Sequence, residues 1–155
     1  MQLKLLRAMA ETRMSKVRRY SELIKLTSFK ERFEYLQLNG IVGDQTFGPN
    51  RYFNQSFYQR DPEWLSIRSF VIVRDHGCDL GYLEREIPDG VPIIIHHMNP
   101  ITIEDILHRT EFLLNPEYLI TTIDNTHKAI HYGNYNLIVD NFVERKPNDT
   151  CPWKN

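Results

Sequence analysis

The sequence predicts an α+β fold, and three features carry that expectation. Leu3, Leu6, Ala10, Met14, Val17, Tyr20 and Ile24 recur every three or four residues, the period of one apolar helix face. Asp61-Pro62 joins an N-cap side chain to a proline at the first helical position, a strong helix start. Beyond Leu80 the period changes. The β-branched run Val91–Ile95 and the run Tyr118–Ile123 predict two strands, set off by Pro, Asn and Gly turn residues.

Each element follows from its own residues. Ser28 followed by Glu31 makes a capping box for a second short helix, which Asn39-Gly40 should end. An aromatic, irregular stretch comes next, with Gly43, Phe47, Gly48, Pro49, Tyr52, Phe53, Phe57 and Tyr58. The helix opened by Asp61-Pro62 should run to Arg74 and stop near His76-Gly77. Trp64, Ile67 and Val71 are expected to face its core, with Arg68 and Arg74 placed to meet phosphate. Pro88-Asp89-Gly90 is turn chemistry, and Asn99-Pro100 breaks the first strand after His96-His97. Thr102, Glu104 and Asp105 open a short helix through His108, and Asn115-Pro116 makes another turn. Asp124 is expected to cap a helix from Asn125 to Tyr132 that Gly133 closes. Lys146 to Asn155 is polar and expected to be a loose tail.

At 155 residues the chain can bury one core without disulfides or metals. No apolar run approaches the roughly 18–20 residues that span a bilayer, and no apolar segment follows the basic start as a secretory signal would require. The expectation is a protein without membrane partners. Cys78 and Cys151 are too few for a disulfide framework and fit a reducing, cytoplasmic setting. A net charge of −1 argues against a wholly basic nucleic-acid coat protein. The charge is uneven, however: Lys4, Arg7, Arg13, Lys16, Arg18 and Arg19 face only Glu11, so that end either meets phosphates or forms a solvated helix face.

The histidines carry the chemistry. His127 and His131 are four apart on a predicted helix, so both imidazoles project from one face as a bidentate metal claw. His96 and His97 end a strand, where neighbours point to opposite sides, so one is free to ligate while the other meets a different partner. Either pair alone is a common surface coincidence. Separated by one supersecondary unit, together they form a compact site. His76 and His108 stand outside it and receive no role.

Four segments resemble the HNH endonuclease family, whose fold is ββα-metal. They are Cys78-Asp79-Leu80-Gly81, Ile95-His96-His97-Met98-Asn99-Pro100-Ile101, Asn115-Pro116-Glu117-Tyr118-Leu119-Ile120-Thr121 and Thr126-His127-Lys128-Ala129-Ile130-His131. The resemblance is closest to small HNH proteins of tailed bacteriophages. It extends upstream through Arg19-Tyr20-Ser21-Glu22-Leu23, Val42-Gly43, Thr46-Phe47-Gly48 and Arg51-Tyr52. It implies a helical and aromatic-rich extension over residues 1–60, a nuclease core over 61–145 and a tail over 146–155.

The resemblance also implies roles. His97 resembles the general base that activates water, and His96, His127 and His131 match the metal ligands. In the family a middle Asn steadies the base. Tyr118 occupies that position; Asn115 from its turn, or the Tyr118 backbone carbonyl, could orient the His97 ring instead. Many relatives brace the fold with two Cys-x-x-Cys pairs on a structural zinc. Here Gly81, Ile123 and Thr126 replace three of those cysteines, so no Cys₄ zinc can form, and Cys78 is expected to be a small buried thiol.

The implied activity is metal-dependent hydrolysis of DNA phosphodiesters, leaving 5′-phosphate ends. One divalent ion is expected. Three imidazoles favour Ni²⁺, Co²⁺, Mn²⁺ or Zn²⁺ over Mg²⁺, which prefers oxygen ligands. Arg74 and Lys128 are candidates for a neighbouring phosphate. The implied setting is a phage-infected host cytoplasm, near genome packaging, with terminase or portal proteins as possible neighbours. Two other readings are a DNA-binding accessory protein that keeps the fold without catalysis, and a small metal-binding structural domain.

Overall fold

The computed structural model describes residues 16–38 and 51–139. It is a mixed α+β chain in which short helices pack on both faces of a two-stranded antiparallel sheet, with a second, smaller hairpin beside it.

The described part of the first half is helical but more broken than its periodicity predicts. Leu3, Leu6, Ala10 and Met14 lie outside the described residues. Lys16 to Arg19 is not helical, and helix α1 spans only Tyr20–Leu23. Tertiary bonding overrides the pattern here. The Asn99 side-chain amide accepts from the Arg18 N–H at 2.8 Å and donates to the Arg18 carbonyl at 2.9 Å, taking both groups out of any helical ladder. Helix α2, Phe29–Leu36, begins at the expected capping box of Ser28 and Glu31. Its expected end at Asn39-Gly40 lies outside the described residues.

Arg51–Arg60 is a helix, α3, where the sequence suggested an irregular stretch. No glycine or proline interrupts these ten residues. Phe57 and Tyr58 earn their order by packing on Trp64, with ring centroids 5.8 and 4.8 Å away. Helix α4, Pro62–Arg74, starts as expected, with the Asp61 carboxylate accepting from the Trp64 N–H at 3.0 Å. It ends where expected too, because His76 and Gly77 both adopt positive φ, which no helix continues.

A small hairpin follows, β1 at Cys78–Asp79 paired with β2 at Arg85–Glu86. The main sheet pairs β3, Ile94–His97, with β4, Leu119–Thr122, in the register His96 to Ile120 and His97 to Leu119. Strand β3 therefore starts three residues later than Val91 and includes both histidines. Its partner offers only four residues, and Pro92 has no N–H for a ladder. Between the strands lie α5, Ile103–Leu107, capped by Thr102 and Asp105 as expected, and α6, Glu111–Leu114, which the sequence did not announce. Helix α7, Asp124–Tyr132, follows β4 and ends at Gly133 with φ +65°. Asp124 is its first residue and not its cap; the carboxylate pairs with Lys128 at 2.6 Å. A last turn, α8, spans Asn136–Val139.

The sheet separates two apolar clusters. One face joins Leu23, Leu36, Leu38, Leu80, Met98, Ile120 and Ile130, so α1 and α2 pack against the sheet and α7. The other joins Phe57, Trp64, Val71, Ile101, Leu113, Leu114 and Leu119, where α3, α4 and α6 meet β4. Trp64 and Val71 are buried and Ile67 is half-buried, as their helix positions predicted. Among the described residues no helix is long and apolar enough to cross a membrane.

Candidate metal centre

Strand alternation assigns the two neighbouring histidines to opposite sides of the sheet. His96 turns toward α7, on the side of its cross-strand neighbour Ile120. His97 turns toward α4 and α6, on the side of Leu119.

His96 meets the claw. His127 and His131 project from one face of α7, as their spacing requires, and their Nε2 atoms lie 3.1 Å apart. The His96 ring stands 5.1 Å from each of theirs, edge-on. One ligand nitrogen from each of the three falls within 4.8 Å of the others. Metal–nitrogen bonds of about 2.0–2.1 Å put neighbouring ligand atoms roughly 3 Å apart, so the spacing suits a single small cation.

The electrostatics suit one too. His96 is 1 % exposed, and among the described residues neither of its ring nitrogens has a hydrogen-bond partner. Burial holds its protonated form far out of reach, with the His127 and His131 rings adding to the effect. His127 is pushed down to about 4, first by burial and then by His131. His96 and His127 are therefore neutral at pH 7 and present lone pairs, the form a metal requires. A buried imidazole with two orphaned nitrogens is costly, and a cation would satisfy one of them.

His97 is held differently. Its ring stacks on Trp64, with centroids 5.3 Å apart and planes 17° from parallel, and Tyr58 lies at 6.0 Å. Its Nε2 lies 3.1 Å from the Leu113 carbonyl oxygen. A carbonyl only accepts, so Nε2 carries the hydrogen and the lone pair of the neutral ring sits on Nδ1. Burial pushes His97 down to about 4, against a smaller opposing pull from the Leu113 carbonyl.

No family model, curated protein or solved structure matches this chain.

The expected braces of His97 lie elsewhere. The Asn115 side chain accepts from the Glu117 N–H at 2.9 Å, capping the 3₁₀ turn Pro116–Tyr118. The Tyr118 ring packs on Phe112, and its carbonyl accepts from the Met98 N–H. Leu113 on α6 provides the bracing carbonyl, which no side-chain pattern could have signalled.

The two phosphate candidates also divide. Arg74 is turned inward: its guanidinium donates to Asp75, to the Pro116 carbonyl and to the Leu119 carbonyl, and lies 3.6 Å over the Tyr20 ring. Those bonds tie α4 to the start of β4. Arg68 lies 3.5 Å from the Ile93 carbonyl. Lys128 is exposed on α7 beside the claw, in its ion pair with Asp124. Of the basic start, Arg18 donates to the Tyr35 and Gln37 carbonyls and Lys16 sits over the Tyr35 ring. Lys4, Arg7 and Arg13 lie outside the described residues. Cys78 is half-buried, not the buried thiol expected. His76 is exposed, and His108 pairs with Glu104 on the surface.

Proposed function

We propose that this chain is a divalent-metal-dependent DNA endonuclease of the HNH type, with β3, β4 and α7 as its ββα-metal core. The observation that supports this best is the division of labour within one dipeptide. His96 joins His127 and His131 in a three-imidazole cluster, while His97 is excluded from that cluster and has its tautomer fixed by the Leu113 carbonyl.

His96, His127 and His131 would hold the cation. When bound, it would neutralise charge on a phosphate and on its departing oxygen. Three protein ligands leave coordination positions open, as a catalytic ion needs. His97 would take the proton from the attacking water at Nδ1, because Nε2 is engaged with Leu113. The ring is neutral at pH 7 and ready to accept. Lys128 is the remaining candidate for a neighbouring phosphate. The resemblance to small phage proteins supports a setting in the host cytoplasm near genome packaging, with terminase or portal proteins as neighbours.

The second reading is a DNA-binding accessory protein that keeps this core without catalysis. The close stacking of His97 on Trp64 favours it, because a half-buried base has less access to water. Incubating supercoiled plasmid with the full chain and Ni²⁺, Co²⁺, Mn²⁺, Zn²⁺ or Mg²⁺ separates the two. The nuclease reading expects metal-dependent nicking or linearisation that His97→Ala abolishes while metal affinity stays nearly intact. DNA binding without cleavage by any metal supports the accessory reading. Loss of metal binding in His97→Ala would mean that the roles of His96 and His97 are interchanged.

A further inference from the structure

Helix α7 carries two of the three clustered histidines, yet its own N-cap residue, Ile123, has no side chain to fix its start. The fixing group comes from 44 residues upstream. Asp79, at the end of β1, is 1 % exposed, and its Oδ2 accepts from the Ile123 N–H at 3.4 Å and from the Thr126 hydroxyl. Thr126 is itself buried and immediately precedes His127. Two residues beyond Asp79, Gly81 lets the chain approach α7 so closely that a Cβ there would stand 2.6 Å from the Thr126 methyl. Asp79, Gly81, Ile123 and Thr126 thus form one contact at the root of the histidine helix. Among the described residues no cation pairs with Asp79, and its Oδ1 closes no hydrogen bond of its own, although the nearby Gly81 and Tyr82 N–H groups also favour the charged carboxyl. Burying a carboxylate on these terms is unfavourable for a group that merely fills space.

We propose that Asp79 is a positioning residue for the metal centre: through Thr126 and the Ile123 N–H it sets the start of α7, and so where His127 and His131 stand relative to His96. Gly81, Ile123 and Thr126 stand where the family resemblance would place three of a structural zinc's four cysteines. A hydrogen-bonded carboxylate braces that place from the neighbouring position. This inference rests on reading the three histidines as a metal site.

Thr126→Val tests it in the full chain, because valine keeps the methyl that packs on Gly81 and replaces the hydroxyl with a second methyl that cannot hydrogen-bond. Thr126→Ser keeps the hydroxyl and serves as the rescue. Each apo protein is titrated with Co²⁺, following the visible absorption bands that report the ligand geometry. Thr126→Val should bind about tenfold or more weakly, the scale of lost outer-shell support, with altered bands. Thr126→Ser should keep both the affinity and the spectrum of the wild type. If Thr126→Val fails to fold, the paired variant Asp79→Leu with Thr126→Val, which carries no orphaned charge, is titrated against the wild type with the same expectation. Wild-type affinity and bands in a folded variant lacking the hydroxyl would overturn the positioning role alone. A wild type that takes up no Co²⁺ would overturn the metal reading, and this inference with it.

Discussion

The His127 and His131 imidazoles face each other along α7 with their Nε2 atoms 3.1 Å apart, and the buried His96 ring stands edge-on to both. One ring nitrogen can donate to the other at that distance, but His96 gains nothing from that arrangement and has no partner for either nitrogen among the described residues. The apo protein therefore carries an unfavourable polar burial in its centre.

That burial predicts the effect of His96→Leu. Leaving a buried polar group unpaired costs about 1–3 kcal/mol, so the leucine variant should be more stable than the wild type without metal, by about 1 kcal/mol or more. It should also lose metal binding. Chemical denaturation of both apo proteins measures the first effect and calorimetric titration the second. A destabilised His96→Leu apo protein would show that the imidazole has partners in solution.

Acid should destabilise the apo protein. His97 and His127 are pushed down to about 4, and His96 is also lowered. Groups with depressed cationic forms stabilise the fold above their unfolded value of about 6.5, and that contribution is lost as pH falls toward 4. His97 and His127 are each worth on the order of 3 kcal/mol. Asp79 runs the other way. Burial raises it to about 6, so its contribution is full below its usual 3.8 and lost as pH rises through 6. Three imidazoles outweigh one carboxyl, so the denaturant midpoint should fall between pH 7 and pH 4.5. A midpoint that rises over this range would contradict the burial of neutral rings.

Gly81→Ala should disturb the root of α7. The new Cβ would lie 2.6 Å from the Thr126 methyl and 3.4 Å from the Ile130 terminal carbon, so Thr126 must shift. Overpacking of this kind costs about 1–3 kcal/mol. Denaturation should show that loss, and metal affinity should drop with it. An alanine variant with unchanged stability would mean that the hairpin and α7 are not in close contact.

Trp64→Phe should separate cleavage from metal binding. Trp64 is buried and stacks on His97, and among the described residues its ring partners are Phe57, Tyr58 and His97, none of them a clustered imidazole. Phenylalanine keeps an aromatic face but leaves space beside His97. Plasmid cleavage should fall several-fold, with Ni²⁺ affinity unchanged in calorimetric titration. Equal losses in both would show that the two faces of the sheet are not independent.

The metals should rank by their liking for nitrogen. Zn²⁺ and Ni²⁺ should bind three imidazoles most tightly and Mg²⁺ weakly. Turnover need not follow the same order, because an ion that holds product firmly stalls the reaction; Ni²⁺, Co²⁺ and Mn²⁺ are expected to support cleavage best. Paired calorimetry and plasmid assays test this. Mg²⁺ binding as tightly as Ni²⁺ would exclude three histidines as the ligand set.

What the sequence determined by itself is local. The capping boxes at Ser28 and Thr102, the Asp61-Pro62 start and the stop at Gly133 all lie within reach of their own backbone. Such contacts form within four residues, so their geometry is legible from spacing. The claw of His127 and His131 is legible for the same reason, and strand alternation separates His96 from His97. Tertiary structure decided what depends on distant chain. Asn99 pulls Arg18 out of the expected first helix across 81 residues. Arg74, a candidate for phosphate, spends its guanidinium on carbonyls up to 45 residues away. The brace of His97 is a backbone carbonyl on α6, which has no side-chain signature, and Asp79 reaches Thr126 across 47 residues. Donors and acceptors such as these are common to every stretch of chain, and only the packing of the two apolar clusters on either face of the sheet selects which of them meet.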